Sequence, residues 1–516
     1  MNTHSSRPGK TASQKIGLIL GLLLFTIFLF LDLEPGNPVV TRMAAVAVLM
    51  ATWWITDAIP LAATALLPMI LYPLLGILKA NSTAPIYFNS TIFLFMGGFI
   101  IALTMEKWNL HKRIALWIIR VVGGGPARIV LGFMIAAAFL SMWISNTATA
   151  IMMLPIGMAI VYEMETKFSA AQTHNFTVAL MLGIAYACSV GGLSTIVGTP
   201  PNLSFVRIFE ITFPQAGSIS FGQWIVLGLP LGVSLLVIIW VLLTKVFFRT
   251  PAFLKIDRSV VENQYKALGH MSYEEKAVGA VFGITALLWV FRVKLQIGAL
   301  SIPGWSQILP FPEMIDDGSV ALFMSTVLFL IPTRSAEASS ATLTDADVIT
   351  RLPWNIVLLF GGGFALAKGF QVTGLAALIG AKFSTLAGIS PYLMVLVICA
   401  SITFLTELTS NTATTEMILP ILASVAVAMQ INPLILMIPA TVSASCAFMM
   451  PVATPPNAIV FGSGRIRISE MAKVGLWINL IGVLVISGVF FLIGTALFSI
   501  DLSSMPAWAN FAGQGR

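Results

Sequence analysis

Residues 145–150 read SNTATA, and residues 410–415 read SNTATT. The first cluster lies between AAAFLSMWI and IMMLPIGMAI, and no Lys, Arg or His occurs between Arg128 and Lys167. The second lies in LTELTSNTATTEMILP, within a stretch from 383 to 464 that also lacks Lys, Arg and His. A tight group of small polar side chains inside so apolar a run needs a cause. Single Ser, Thr or Asn residues join helices in membranes by hydrogen bonds. Two matched clusters ask for something more.

The match extends outward. Asn146 and Asn411 are 265 residues apart. At that offset Phe95, Gly97, Gly98 and Phe99 of LFMGGF fall on Phe360, Gly362, Gly363 and Phe364 of LFGGGF. Ser141 falls on Thr406, which keeps a hydroxyl, and Pro155 falls on Pro420. Downstream, GTPPN (198–202) recurs as ATPPN (453–457) at an offset of 255, as a shortened loop would give. An ordered set of motifs recurring almost in register indicates internal duplication.

The chain has 516 residues, 58% hydrophobic and 9% charged, where soluble proteins carry roughly 25% charged residues. With a mean hydropathy of +0.94, the chain belongs in a lipid bilayer, and a large soluble enzyme is excluded. The net charge of +7 fits basic cytoplasmic loops better than a nucleic-acid partner, and none is expected. Cys188, Cys399 and Cys446 lie in apolar segments at no metal-site spacing. The four histidines form no local cluster, so neither a disulfide framework nor a metal centre is expected.

A helix needs about 20 apolar residues to cross the hydrocarbon core. The apolar runs predict spans near 16–33, 39–58, 61–78, 90–120, 175–208, 222–246, 277–292, 319–332, 353–384, 432–461 and 471–499, eleven in all. The first follows Arg7, Lys10 and Lys15 without a convincing small-residue cleavage site, and reads as a retained helix. The stretches 127–162 and 388–428 are each too long for one span and carry an SNT cluster midway. Each predicts a re-entrant hairpin with SNT at its tip. Irregular backbone at membrane depth is tolerated where it is buried in protein or lines a wet cavity.

The loop 245–276 carries Lys245, Arg249, Lys255, Arg258, Lys266 and Lys276, which predicts a cytoplasmic location. Counting from it, the N-terminus falls inside and the C-terminus outside. Lys112, Arg113, Arg120, Arg334, Arg465 and Arg467 then fall inside, and the loop 293–318 with Glu313, Asp316 and Asp317 falls outside. The spans near 90–120 and 353–384 run in opposite directions, so the repeats are expected to be inverted. Inverted repeats with broken helices and a site at the midplane are a recurring plan of secondary transporters.

The repeated residues suit ions of both signs. The oxygens of Ser141, Ser145 and Asn146, and of Thr406, Ser410 and Asn411, are hard ligands that fit Na⁺. The paired prolines of each TPPN remove backbone donors and break the helix, which frees carbonyls near Gly198 and Ala453. Hydroxyls, Asn amide nitrogens and helix N-termini can also donate to an anion. With no basic residue nearby, a bound dianion needs cations for charge balance. Glu407 and Glu416 are the acids of the stretch 383–464. Both, with Asp57 and Lys368, read as structural charges before they read as ligands.

At these residues the sequence resembles the divalent anion/sodium symporter family. SMWISNTATAIMMLP, TELTSNTATTEMILP and FMMPVATPPNAIVFG are similar to its signature segments, as is WWITDAIPLAATALLP, with Asp57 where many members have Glu. The likeness runs over roughly 16–500. It implies an all-α polytopic membrane protein, a homodimer whose protomers each hold a scaffold and a mobile transport domain. Its first cation site would map onto Ser141, Ser145, Asn146 and the backbone near Gly198. The second would map onto Thr406, Ser410, Asn411 and the backbone near Ala453. Substrate contacts would map onto Ser145, Asn146, Thr147, Thr199, Ser410, Asn411, Thr412, Thr454 and Pro455. On this plan residues 1–15 form a cytoplasmic tail and 16–85 scaffold helices. Residues 86–210 form the first repeat core with its hairpin, and 211–352 further scaffold helices and the basic loop. Residues 353–461 form the second repeat core, and 462–516 a last scaffold helix and tail.

The expected activity is Na⁺-coupled symport of a C4-dicarboxylate such as succinate, malate or fumarate by an elevator-type motion, and the expected location is a bacterial inner membrane. Na⁺ is the co-transported ion, and no organic cofactor is expected. The alternatives are a Na⁺-independent dicarboxylate or citrate exchanger of the same fold, and a Na⁺/sulfate symporter. An exchanger would place basic side chains where cations sit, and the motifs carry none. A hydrolase using Ser145 or Ser410 as nucleophile would need an adjacent base, and neither SNT segment offers His or Lys.

Overall fold

The computed structural model describes residues 10–250, 259–297, 300–335, 340–383, 388–502 and 504–509. Arg7, Lys255, Arg258 and the last residues of the C-terminal tail, which entered the reading of charge and topology, lie outside these ranges. Strand is confined, among the described residues, to a short hairpin of β1 (Leu295–Ile297) and β2 (Leu300–Ile302).

The chain opens with α1 (Ala12–Leu29) and α2 (Pro38–Thr56), followed by the short α3 (Leu61–Thr64), α4 (Leu67–Leu74) and α5 (Ala80–Tyr87). Next come α6 (Ser90–Lys107) and α7 (Leu110–Val122). The span expected over 90–120 is thus two helices. Asn109 between them is left-handed at φ 57°, and such a residue ends an α-helix. The span expected over 353–384 divides in the same way, into α17 (Trp354–Thr373) and α18 (Leu375–Phe383) around Gly374 at φ 85°. Glycine takes that conformation without a Cβ clash.

The first expected hairpin is α8 (Pro126–Ser141) and α9 (Asn146–Lys167), with residues 142–145 at the turn. The second is α19 (Pro391–Thr406) and α20 (Asn411–Ala428). Each first arm has 16 residues, about 24 Å at 1.5 Å per residue, short of a bilayer core of about 30 Å. The two TPPN segments also interrupt helices. α10 (Ala170–Leu193) gives way to α11 (Pro200–Thr212), and α21 (Leu434–Ala444) to α22 (Pro455–Phe461). α12 (Phe221–Val241) and α23 (Ile468–Val489) each continue into a wide π-helical turn, at Leu242–Phe247 and Phe490–Gly494. The remaining helices are α13 (Ser259–Ala267) in the basic loop, α14 (Tyr273–Val290), α15 (Asp317–Leu330), α16 (Asp347–Thr350) and the terminal α24 (Thr495–Leu497).

Among the described residues, nine helical runs are long and apolar enough to cross a bilayer, and five further apolar helices are shorter. Helices therefore do not correspond one for one with the eleven expected spans, because several spans are broken. α10 is buried along its apolar window and packs against α8, α9, α12 and α22. α19 packs on α21 and α23, and α20 on α11, α18 and α21. α6 packs on α14 and α15, and α17 packs on α3 and α5 as well as on α11 and α20.

Ion pairs tie the loops at the basic end. Arg113 holds Glu275 with two bonds of 2.7 and 3.0 Å, and Arg465 holds Glu165 with bonds of 2.5 and 3.1 Å. Two-pronged Arg–carboxylate pairs fix orientation as well as charge. Lys107 reaches Asp345 at 2.9 Å and holds its carboxyl below the usual carboxylate range.

Candidate functional site

Four helix breaks meet at one cavity of about 770 Å³. Ser145, Asn146 and Thr147 reach it from the first hairpin, and Gly198 and Thr199 from the α10–α11 break. Ser410, Asn411 and Thr412 come from the second hairpin, and Ala453, Thr454 and Pro455 from the α21–α22 break. Two expected site residues, Ser141 and Thr406, are fully buried and do not line it. They lie behind it. Ser141 donates to Asn146 Oδ1 at 2.5 Å, and Thr406 donates to Asn411 Oδ1 at 2.7 Å. Among the described residues neither Asn Nδ2 has a protein partner, so each amide nitrogen remains available to a ligand.

Every break brings two helix ends together. On one side α9, α11, α20 and α22 begin, and their first turns leave backbone N–H groups without intrahelical acceptors. Ser145 caps α9 by accepting from Ala148 N at 3.2 Å, and Ser410 caps α20 from Ala413 N at 3.5 Å. Thr454 caps α22 from Asn457 N at 3.4 Å. Pro200 and Pro455 start their helices where no N–H is needed. These ends favour negative charge. On the other side α8, α10, α19 and α21 end, and their last carbonyls favour positive charge. The arrangement therefore offers opposed environments for an anion and for cations without an ionised ligand.

The first half also shows a small cradle of oxygens. A Cβ placed on Gly192 would stand 2.8 Å from Asn146 Oδ1 and 3.0 Å from the Gly198 carbonyl oxygen. Glycine keeps that space open between a side-chain oxygen and a backbone oxygen, the donor set that Na⁺ prefers. In the second half the Thr406 hydroxyl contacts both Asn411 Oδ1 and the Ala444 carbonyl, the latter at 2.8 Å.

The sequence reading missed the residues that hold the breaks in shape. Asn202 donates from Nδ2 to the carbonyls of Gly192, Leu193 and Thr195. Asn457 donates to those of Ala447 and Met450. Both belong to TPPN, where the Thr and Pro drew the attention. The hairpin turns are tied to the breaks by different chemistry in the two halves. Thr195 donates to the Met142 carbonyl at 2.5 Å. At the position matching Met142, Glu407 accepts from the backbone N–H groups of Phe448, Met449 and Met450 at 2.7, 2.9 and 3.0 Å, and from Asn479 at 2.7 Å. Glu407 is a brace for the second break.

The other charges fall where their chemistry permits. Lys368 donates to Gln371 at 2.8 Å and does not line the cavity. Asp57, left-handed at φ 48° after α2, does line it. It is the one ionisable side chain among the described lining residues, and none of those residues is basic.

Comparison with known proteins agrees with this architecture. A family model described as the sodium:sulfate symporter transmembrane region matches residues 12–500. A Staphylococcus saprophyticus protein named sodium-dependent dicarboxylate transporter SdcS is 44% identical over 497 residues, covering 95% of this chain and 93% of its own length. A Staphylococcus aureus protein of the same name is 44% identical over 499 residues, with 96% and 94% covered. Two solved structures share the fold at low identity. The Alcanivorax borkumensis YdaH transporter has a TM-score of 0.57 at 13% identity, over 94% of this chain and 100% of that one. Neisseria gonorrhoeae MtrF has a TM-score of 0.53 at 14% identity, over 91% and 98%. This multi-pass integral membrane protein, matched along almost its whole length, belongs to the divalent anion/sodium symporter family.

Proposed function

We propose that the protein is a Na⁺-coupled symporter of C4-dicarboxylates. The observation that carries the reading is the meeting of four helix breaks at one cavity whose described lining includes no basic side chain. In this reading Ser141, Ser145, Asn146 and the Gly198 carbonyl hold one Na⁺. Thr406, Ser410, Asn411 and the backbone near Ala453 hold a second. The substrate lies between the SNT tips, with one carboxylate taken by each. Thr199, Thr454 and Pro455 complete its contacts. The relatives named as dicarboxylate transporters support the substrate class. Sulfate, named in the family description, has one anionic centre and would leave one of the two tips unused.

The same reading assigns alternating access to movement of the bundle that holds the hairpins. Packing supports a different division from the one expected of the sequence. α12 packs against α8, α10 and α23, and α23 packs against α19 and α21. Both helices are better counted with the moving bundle than with the scaffold. α6, α14 and α15 form a packed group that suits the fixed part. A homodimer, a cytoplasmic N-terminus and an extracytoplasmic C-terminus complete the proposal on family resemblance and loop charge.

The test is uptake of labelled succinate into proteoliposomes containing the purified protein. Uptake is expected to follow an inward Na⁺ gradient and to be weak when choline or Li⁺ replaces Na⁺. Equal uptake in Na⁺ and choline would overturn symport, and counterflow under both conditions would identify an exchanger. Competition by malate, citrate and sulfate resolves the substrate.

A further inference from the structure

Glu416 is an acid that the transport reading leaves unused. It lies on α20 five residues after Asn411, is 0% exposed and stands outside the cavity lining. At the offset that aligns the SNT clusters its counterpart is Ile151, which is 56% exposed. The duplicated chemistry therefore does not require an acid here. Glu416 Oε1 is hydrogen-bonded to Ser204 Oγ of α11. Oε2 has no hydrogen-bond partner among the described residues. The carboxyl lies against Gly363 of α17, where an added Cβ would collide with it. That close packing leaves no space for a hydrated ion at this face.

Among the described residues, no neighbouring charge is directed at this carboxyl. α20 packs against α2, α11, α17, α18, α19 and α21. Arg207 of α11 pairs with Glu210, Lys368 of α17 with Gln371, and Arg42 of α2 with the Leu75 carbonyl. Lys382 of α18 is exposed. Glu407, after α19, is occupied by the Phe448–Met450 backbone, and α21 carries no charged residue. A carboxylate buried without a cation is costly, and more so in a membrane. A neutral acid is both donor and acceptor, and suits one hydroxyl partner better.

We propose that Glu416 is a resident proton site. It keeps its proton through the transport cycle and, as a neutral acid, shares its one hydrogen bond with the Ser204 hydroxyl. The bond joins α11 to α20, two helices from opposite halves of the duplication whose N-termini both open on the cavity. Ser204 lies four residues past Pro200, and Glu416 five past Asn411. The tie thus fixes the separation of two anion-facing helix ends, which makes Glu416 and Ser204 positioning residues. This consequence rests on the proposed substrate site; the protonation state does not.

The decisive measurement is infrared difference spectroscopy on the full-length protein in lipid nanodiscs, comparing wild type with Glu416→Gln. Spectra are taken in mildly acidic and mildly alkaline buffer, with and without Na⁺ and succinate. The expected result is a protonated-carboxyl band that Glu416→Gln removes, present at both pH values and unchanged by Na⁺ or succinate. Ser204→Ala is expected to shift that band, because the acid loses its hydrogen-bond partner. Glu416→Gln should leave the charge carried per succinate unchanged. A carboxylate signature at either pH, loss of the band on adding Na⁺, or a band that Ser204→Ala leaves in place would each overturn the proposal. If Glu416→Gln does not fold, the Ser204→Ala shift and the Na⁺ comparison still decide it. If wild type shows no Na⁺-driven uptake, the transport reading fails while the infrared result stands.

Discussion

Asn146 and Asn411 each use one amide in two directions. The oxygen accepts from a buried hydroxyl on the preceding helix arm, and the nitrogen is left for the cavity. On the proposed site assignment, replacing either by Ala would deprive a cation of a ligand and the substrate of a donor together. Losing one such partner costs about 1–3 kcal/mol, so Na⁺ and succinate affinity should each fall by roughly one to two orders of magnitude. Binding calorimetry on purified Asn146→Ala and Asn411→Ala checks this, and wild-type affinity in either would refute the shared-amide geometry. These residues were legible in the sequence because small polar groups stand out against an apolar run, and doubly so when repeated. Asn202, Asn457 and Glu407 were less legible. Their partners are backbone N–H and carbonyl groups of irregular segments, and those groups look alike in every sequence.

At the scale of elements, the breaks line the cavity, and they differ in how openly the sequence declares them. TPPN announces its own break, since proline cannot continue a helix that needs its N–H. The ends at Asn109 and Gly374 pass unnoticed inside apolar runs, because one left-handed residue alters no hydrophobic pattern. The α10–α11 break offers a direct test of the cation cradle. A methyl group from Gly192→Ala would enter the space between Asn146 Oδ1 and the Gly198 carbonyl. A ligand that binds the folded state raises its stability, so Na⁺ should raise the melting temperature of wild type. In Gly192→Ala that Na⁺-dependent rise should shrink or vanish, while the fold in Na⁺-free buffer survives. A full Na⁺ response in the variant would place the cation elsewhere.

For the whole molecule, the governing demand is charge. A bare dianion faces a large desolvation cost in crossing a bilayer, and a cavity without basic side chains cannot offset it alone. On the proposed reading, cations held at the ends of the hairpin arms would lower that cost, so the bundle should move when fully loaded or empty and resist moving with the anion alone. Rigid movement of one bundle against another is the usual form of alternating access in folds of this plan. Leu408, at the turn of the second hairpin, lines the cavity and is 74% exposed. Phe311, in the acidic loop, is 66% exposed and lies away from the hairpins in sequence. Cysteines placed at these two positions, in a background with Cys188, Cys399 and Cys446 replaced, should respond differently to a membrane-impermeant thiol reagent. Leu408→Cys should change its labelling rate when Na⁺ and succinate are added together, and change less with either alone. Phe311→Cys should label at one rate throughout. If labelling at 408 stayed constant under every combination, the hairpins would not be travelling with the substrate, and charge compensation would have to serve a gate within a fixed bundle.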